Sequence, residues 1–211
     1  EASAIAIACN IGYKEQLQNL VDETHEKLGP INILVANAGI NPFYGPMSKI
    51  PDEAFDKIMG SNVRSNHWLC QMVAPDMIAA GSGSMMITSS TGAFGPSEFL
   101  GTYSISKLAD IALVRNLAAE LGPSGVRVNA ICPGLLYPRA WQVMAANMQK
   151  QNPRHADKTG HEVFMEIVRS STPLGREQTP EDVGKLASFL CSDDARNITG
   201  QVIALDGGSS V

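Results

Sequence analysis

The sequence predicts an α/β domain: a doubly wound, mostly parallel sheet with helices on both faces. Three observations predict it. Short apolar runs bounded by Gly and Pro alternate with longer segments of helical periodicity. The run at 31–36 is nearly all apolar, as in strands covered on both faces, and the short run at 84–88 suits a buried strand. No internal repeat or linker interrupts the chain, so residues 1–211 read as one domain of ordinary globular composition, 44% hydrophobic and 18% charged.

The elements follow in order. Residues 4–8 read as a small-residue strand that ends on Cys9, Asn10 and Ile11. A helix over 13–28 presents Leu17, Leu20, Val21, Thr24 and Leu28 at helical spacing, and Gly29-Pro30 stops it. The strand at 31–36 delivers Asn37-Ala38-Gly39 to its carboxyl end, the edge where open α/β sheets bind ligands. Small residues there permit close approach to the backbone. The loop 41–46 carries Phe43 and Tyr44, which either border a pocket or cap the surface. A helical region runs from Pro51 through Asn62 to Ala80, with Pro75 expected to kink or divide it. The strand at 84–88 ends on Ser89 and Ser90, and a long helix carries Tyr103 and Lys107. Beyond Lys107 that helix shows Leu108, Ile111, Ala112, Leu113 and Val114, a surface wide enough to meet both the sheet and another subunit. Residues 122–125 end it, a strand follows at 126–131, and Pro133-Gly134 lies at its carboxyl end. Helical patches are expected around 141–148 and 161–171. Pro180-Glu181-Asp182 opens a helix with acids in its first turn, and 201–205 is the final strand, before Asp206-Gly207-Gly208.

Tyr103 and Lys107 stand at i and i+4, one turn apart on one helix face. A phenol titrates near ~10 by itself, too high for a group that must cycle as acid and base near neutrality. A nearby ammonium favours the phenolate, so this pair is expected to lower the phenol towards working pH. A serine hydroxyl from the neighbouring strand end, Ser90, would hold a substrate oxygen against it. Alone, such a Tyr-Lys pair is an ordinary exposed helix pair.

Composition excludes several classes. A net charge of −5 without any Lys/Arg cluster gives no case for nucleic acid. The apolar runs are too short to span a bilayer, and no signal-peptide pattern is visible. Cys9, Cys70, Cys132 and Cys191 are widely spaced, which fits buried, reduced thiols in a cytoplasmic protein rather than a disulfide framework or zinc site. His67, His155 and His161 show no ligand spacing and His25 sits on a charged helix, where solvation is expected; no metal is assigned.

Several motifs in order change the weight of the Tyr-Lys pair. Asn37-Ala38-Gly39, Ser90, Tyr103-Ser104-Ile105-Ser106-Lys107, Arg127-Val128-Asn129-Ala130-Ile131-Cys132-Pro133-Gly134 and Ile198-Thr199-Gly200-Gln201 with Asp206-Gly207-Gly208 together resemble the short-chain dehydrogenase/reductase family over nearly the whole chain. The resemblance implies a Rossmann-like domain that uses NAD or NADP to interconvert a secondary alcohol and a ketone, in the manner of a carbonyl reductase. It implies Tyr103 as proton donor or acceptor, Lys107 as the group that tunes it and holds the nicotinamide ribose, and Ser90 as the binder of substrate oxygen. Asn62 would complete a proton relay through a water on its backbone carbonyl. Asn10 and Ile11 would lie beside the adenine, or Asn10 simply starts a turn. Asn37, Ala38, Gly39, Pro133, Gly134 and the backbone near Leu136 would contact the cofactor. Residues 135–172 occupy the family's variable substrate lid, where Trp141, Met144 and Met148 either line an apolar pocket or pack the lid on the body. An oligomer, tetramer or dimer, is implied.

The sequence departs from the family pattern in places. Ala36 stands where a second Asn is usual, and Pro138 where a Thr is frequent. The usual opening strand, Gly-rich turn and helix are not seen before Asn10, so a disordered or cleaved opening unit of roughly 30 or more residues is expected, a truncated product being the other reading. Two other functions fit the sequence less well. A non-catalytic binding or scaffolding subunit conflicts with four catalytic-type residues being present. A hydrolase using Ser90 lacks a Gly-x-Ser-x-Gly elbow and a placed histidine.

Overall fold

The computed structural model describes residues 4–137, 142, 155 and 157–211. In chain order it holds α1 (Lys14–Leu28), β1 (Ile33–Ala36), α2 (Asp52–Met59), α3 (Ser65–Ala80), β2 (Gly83–Thr88), α4 (Gly101–Leu121), β3 (Val126–Pro133), α5 (Gly160–Ser171), α6 (Pro180–Cys191) and β4 (Val202–Leu205). The four strands form one parallel sheet in the order β1-β2-β3-β4. Each step between neighbours is a crossover that contains helix, the connection parallel pairing requires. The predicted α/β class is the class observed.

The core lies mainly on one sheet face. Leu34 and Ala36 of β1, Met85 and Ile87 of β2, and Val126, Val128 and Ala130 of β3 pack against Val21 of α1, Cys70, Val73 and Met77 of α3, and Val114, Leu117, Ala118 and Leu121 of α4. The opposite face is smaller. Met86 and Ile131 meet Leu190 of α6 and Ala195 just beyond it. At β1 only one face is covered among the described residues: Leu34 and Ala36 are buried, whereas Ile33 and Val35 are 51% and 46% exposed. This corrects the reading of that strand as covered on both sides. α6 packs on β2 and β3.

Residues 4–8 are not a strand in the structure; 4–10 have no ladder. A strand exists by its hydrogen bonds to a neighbour, and β1 pairs only with β2 among the described strands. Pro75 does not divide its helix: α3 runs through it to Ala80. Proline frees the carbonyl four residues back, here that of the exposed Gln71. The helical region breaks earlier, at a π turn over Gly60–Arg64 between α2 and α3.

Local chemistry sets the remaining boundaries. α5 and α6 both begin with a capping box, Thr159 with Glu162 and Thr179 with Asp182, and Pro180 occupies the first turn of α6. The predicted helix at 161–171 is α5; the patch at 141–148, with Trp141, Met144 and Met148, and Pro138 lie outside the described residues. Gly125 has φ +79°, and a β-carbon there would collide with the Gly81 carbonyl. Only glycine suits that turn into β3. The four cysteines are free; Cys70 and Cys132 are buried, Cys9 and Cys191 half-buried. His25 is not simply solvated. Its Nε2 lies 2.7 Å from Asp76 Oδ2, which also accepts from the Ile31 amide and so ties α1, α3 and the approach to β1 together.

Candidate active site

The register of the sheet brings its carboxyl ends together: Ala36 pairs with Ile87, Thr88 with Ile131 and Pro133 with Leu205. Residues just past these ends therefore share one edge. They are Asn37, Ala38 and Gly39 after β1, Ser89 and Ser90 after β2, and Pro133-Gly134 with Leu136 at and beyond the end of β3. Asn37, Ala38 and Gly39 are exposed; Ser90, Pro133, Gly134 and Leu136 are half-buried.

α4 rises against this edge and carries Tyr103 and Lys107 in its first two turns. Tyr103 is half-buried, while Lys107 is only 4% exposed. The Lys107 ammonium donates to the Thr88 carbonyl at 2.8 Å and to Asp110 Oδ2 at 3.0 Å, and lies 5.9 Å from the centre of the Tyr103 ring. Ser89 Oγ donates to the Lys107 carbonyl at 2.7 Å, which fastens α4 to the end of β2. Ser90 Oγ accepts from the Gly92 amide and stands near enough to the Tyr103 hydroxyl to ease its ionisation.

Burial pushes the Tyr103 phenol above its ordinary value; the Ser90 hydrogen bond opposes this, and the charge of Asp110 adds to it. The sequence had led us to expect the opposite sign. The lysine ammonium lies about twice as far from the centre of the tyrosine ring as from the carboxylate that neutralises it, so desolvation dominates.

Asn62 lies in the π turn, fully buried. Its Oδ1 accepts from the Ile40 amide at 2.8 Å, and its Nδ2 donates to the Ile40 carbonyl at 2.9 Å and to Ser106 Oγ at 3.0 Å. The side chain thus clamps the loop after β1 to α4. Its backbone carbonyl accepts from Asn66 Nδ2 at 2.7 Å, and the second Asn66 contact is to Asp110 Oδ1 at 3.0 Å. A continuous polar chain, Asn62–Asn66–Asp110–Lys107, runs through the interior.

Gly39 closes the picture on the β1 side. A β-carbon there would make ordinary contacts, 3.5 Å from Lys107 Nζ and 3.4 Å from Asn62 Oδ1, so this strand end lies directly against the lysine and the Asn62 clamp. Asn10 behaves differently. Its Oδ1 accepts from the Gly12 amide and its carbonyl from Tyr13, a turn that starts α1. Ile11 is half-buried beside it.

Sequence reasoning missed Asp110, Asn66 and Ser106. A signal for the first was present: an acid three residues after Lys107, on a helix stretch otherwise apolar, belongs with that lysine or is buried without a partner. Asn66, one turn after Asn62, could have been found the same way.

Comparisons with known proteins show the family and the fold. The family profile described as Enoyl-(Acyl carrier protein) reductase matches residues 1–210. Dehydrogenase/reductase SDR family member 4 of Sus scrofa is 36% identical over 208 residues, 99% of this chain and 70% of that protein. The solved L-sorbose reductase of Gluconobacter frateurii, complexed with NADPH and L-sorbose, superposes with a TM-score of 0.88 at 26% identity, covering 96% of this chain and 75% of that one. The 7α-hydroxysteroid dehydrogenase complexed with NADH and 7-oxo glycochenodeoxycholic acid gives 0.82 at 32% identity, covering 96% and 73%. The chain belongs to the short-chain dehydrogenase/reductase family, a family of oxidoreductases that use NAD or NADP. Among the described residues no cluster of side chains is arranged to hold a metal, and no helix is long and apolar enough to cross a membrane.

Proposed function

We propose that this chain interconverts a secondary alcohol and a ketone, with Tyr103 as the general acid and base. The observation that carries the reading is the meeting of the half-buried Tyr103 phenol with Ser90 Oγ, beside the buried Lys107 ammonium, at the carboxyl edge of a parallel sheet.

The residues present suit NAD or NADP. Gly39 lies against the Lys107 ammonium, and Asn37, Ala38 and Gly39 are exposed at a strand end. Asn10, Ile11, Asn37, Ala38, Gly39, Pro133, Gly134 and Leu136 would hold the cofactor together with Tyr103 and Lys107. When bound, it gives or takes the hydride. The chain handles the proton. Ser90 hydrogen-bonds the substrate oxygen and sets it against the phenol. In reduction the Tyr103 Oη–H donates its proton to that oxygen; in oxidation the phenolate takes it back. Lys107 binds the nicotinamide ribose and favours the phenolate. Asn62 holds the loop that carries Gly39 and lends its carbonyl to the proton path. The lid over 135–172 shapes the pocket for a small carbonyl compound. The working form is a homo-oligomer, dimer or tetramer, that covers Ile105 and Leu108, which are 41% and 54% exposed on α4.

The test is titration of the full-length protein with NADH and NADPH, followed by fluorescence or calorimetry, then a ketone screen with the cofactor that binds. Tight binding of one cofactor and ketone-dependent loss of its absorbance are expected. Failure to bind either overturns the reading.

A further inference from the structure

We infer that Asp110 is a positioning residue that seats Lys107 through a buried ion pair and thereby sets where Tyr103 exchanges its proton. The reaction it would serve rests on the function proposed above; its effect on the phenol does not.

The geometry is unusually closed. Asp110 is fully buried and Lys107 is 4% exposed, with 3.0 Å between their charged atoms. Both carboxylate oxygens are used, Oδ2 by the lysine and Oδ1 by Asn66 Nδ2. A buried acid on an apolar helix is costly unless paired and hydrogen-bonded, and here it is both. The groups facing it from each packed element are few. Tyr103, Ser106 and Lys107 share α4 with it; Asn66 and Cys70 face it from α3; Cys132 faces it from β3, and the Thr88 carbonyl of β2 meets the lysine. Burial holds the Cys70 thiol at about 12 and raises that of Cys132, so both are neutral at working pH. Burial raises the Asp110 carboxyl itself, and the charge of Lys107 and the Asn66 hydrogen bond oppose this, so the ion pair is what keeps Asp110 the anion that Lys107 answers to.

Two consequences follow for the proton. The carboxylate fixes the ammonium between α4 and the end of β2, so its position does not depend on a ligand. Its negative charge also acts on the phenol in the direction opposite to the lysine, holding Tyr103 protonated to higher pH. Asp110 therefore favours the phenol form, the proton donor needed for reduction.

The experiment compares the protein with Asp110→Asn, which keeps the size and the hydrogen bond to Asn66 but removes the charge. Phenolate formation is followed in the cofactor-free protein by ultraviolet difference absorbance, with Tyr103→Phe identifying the Tyr103 signal. In Asp110→Asn that signal is expected at lower pH by about one unit, a tenfold change in phenolate fraction on the rising limb. The pH profile of kcat/KM for alcohol oxidation moves the same way. Asp110→Glu, which restores the charge, returns both towards the original position. If Asp110→Asn does not fold, Asp110→Ser is measured in the same way. An unmoved phenolate signal in the folded charge-free variant overturns the proposal. A protein without dehydrogenase activity whose Tyr103 signal still shifts overturns the function reading and leaves this one standing.

Discussion

Tyr103 sits under two opposed influences, burial that keeps its proton and a hydrogen bond from Ser90 that loosens it. Burial is the larger, so the free enzyme holds a phenol with a raised value. The sign fixes the pH behaviour. Ketone reduction, which needs the phenol, should persist through neutrality and fall only on the alkaline side; alcohol oxidation, which needs the phenolate, should rise with pH towards the same point. Profiles of kcat/KM in the two directions check this. Tyr103→Phe keeps the ring and loses the proton, so kcat should fall by about 10²- to 10⁴-fold, while the melting temperature stays near that of the unaltered protein. Steady-state kinetics on a ketone reduced by the unaltered protein measures the first, and thermal melts the second.

The π turn over Gly60–Arg64 matters more to the site than any regular turn of α2 or α3. It opens the helix at Asn62 and sends that side chain across to Ile40 and Ser106. π turns of this kind often mark functional positions. Asn62→Ala removes three hydrogen bonds and leaves the Ile40 amide without its side-chain acceptor. We expect a loss of about 1–3 kcal/mol in stability and a weaker grip on the cofactor, because the loop bearing Gly39 is no longer clamped. Denaturant unfolding and cofactor titration of the variant check both; unchanged values would show that the clamp is dispensable. The helix starts at α5 and α6 follow simpler rules, each a capping box legible in three or four residues.

Across the whole molecule, four parallel strands in chain order place their ends on one edge, and α1, α3 and α4 press on one face. Asp76 helps hold that layer by accepting from the Ile31 amide and from His25. The Ile31 hydrogen bond, followed by His25, keeps its carboxyl below the ordinary value. A lowered folded value contributes stability that is present above the unfolded value, near ~4, and lost as pH falls through the folded one. Asp76→Asn should therefore melt earlier than the unaltered protein at neutral pH, with the gap closing in acid. Thermal melts from pH 7 down to about 3 test the sign, and a gap that widens in acid would refute it.

The sequence by itself determined the class of fold and most of the site. Apolar runs of strand length between periodic helices give a parallel sheet, because each is a local pattern written over neighbouring residues. The Tyr103–Lys107 spacing, Ser90 at a strand end and Asn37-Ala38-Gly39 were legible for the same reason. Tertiary structure alone decided the sign of the phenol shift, the place where the long helical region opens, and the company Lys107 keeps. Burial depends on which helices cover a residue, and residues 4–8 and the outer face of β1 show that an apolar pattern does not say whether a neighbour covers it. Asp110 makes the point most plainly. Three residues from Lys107 in the chain, it looked like one more polar position on a helix; only the packing of α3 and β3 around it makes it the lysine's buried counter-ion.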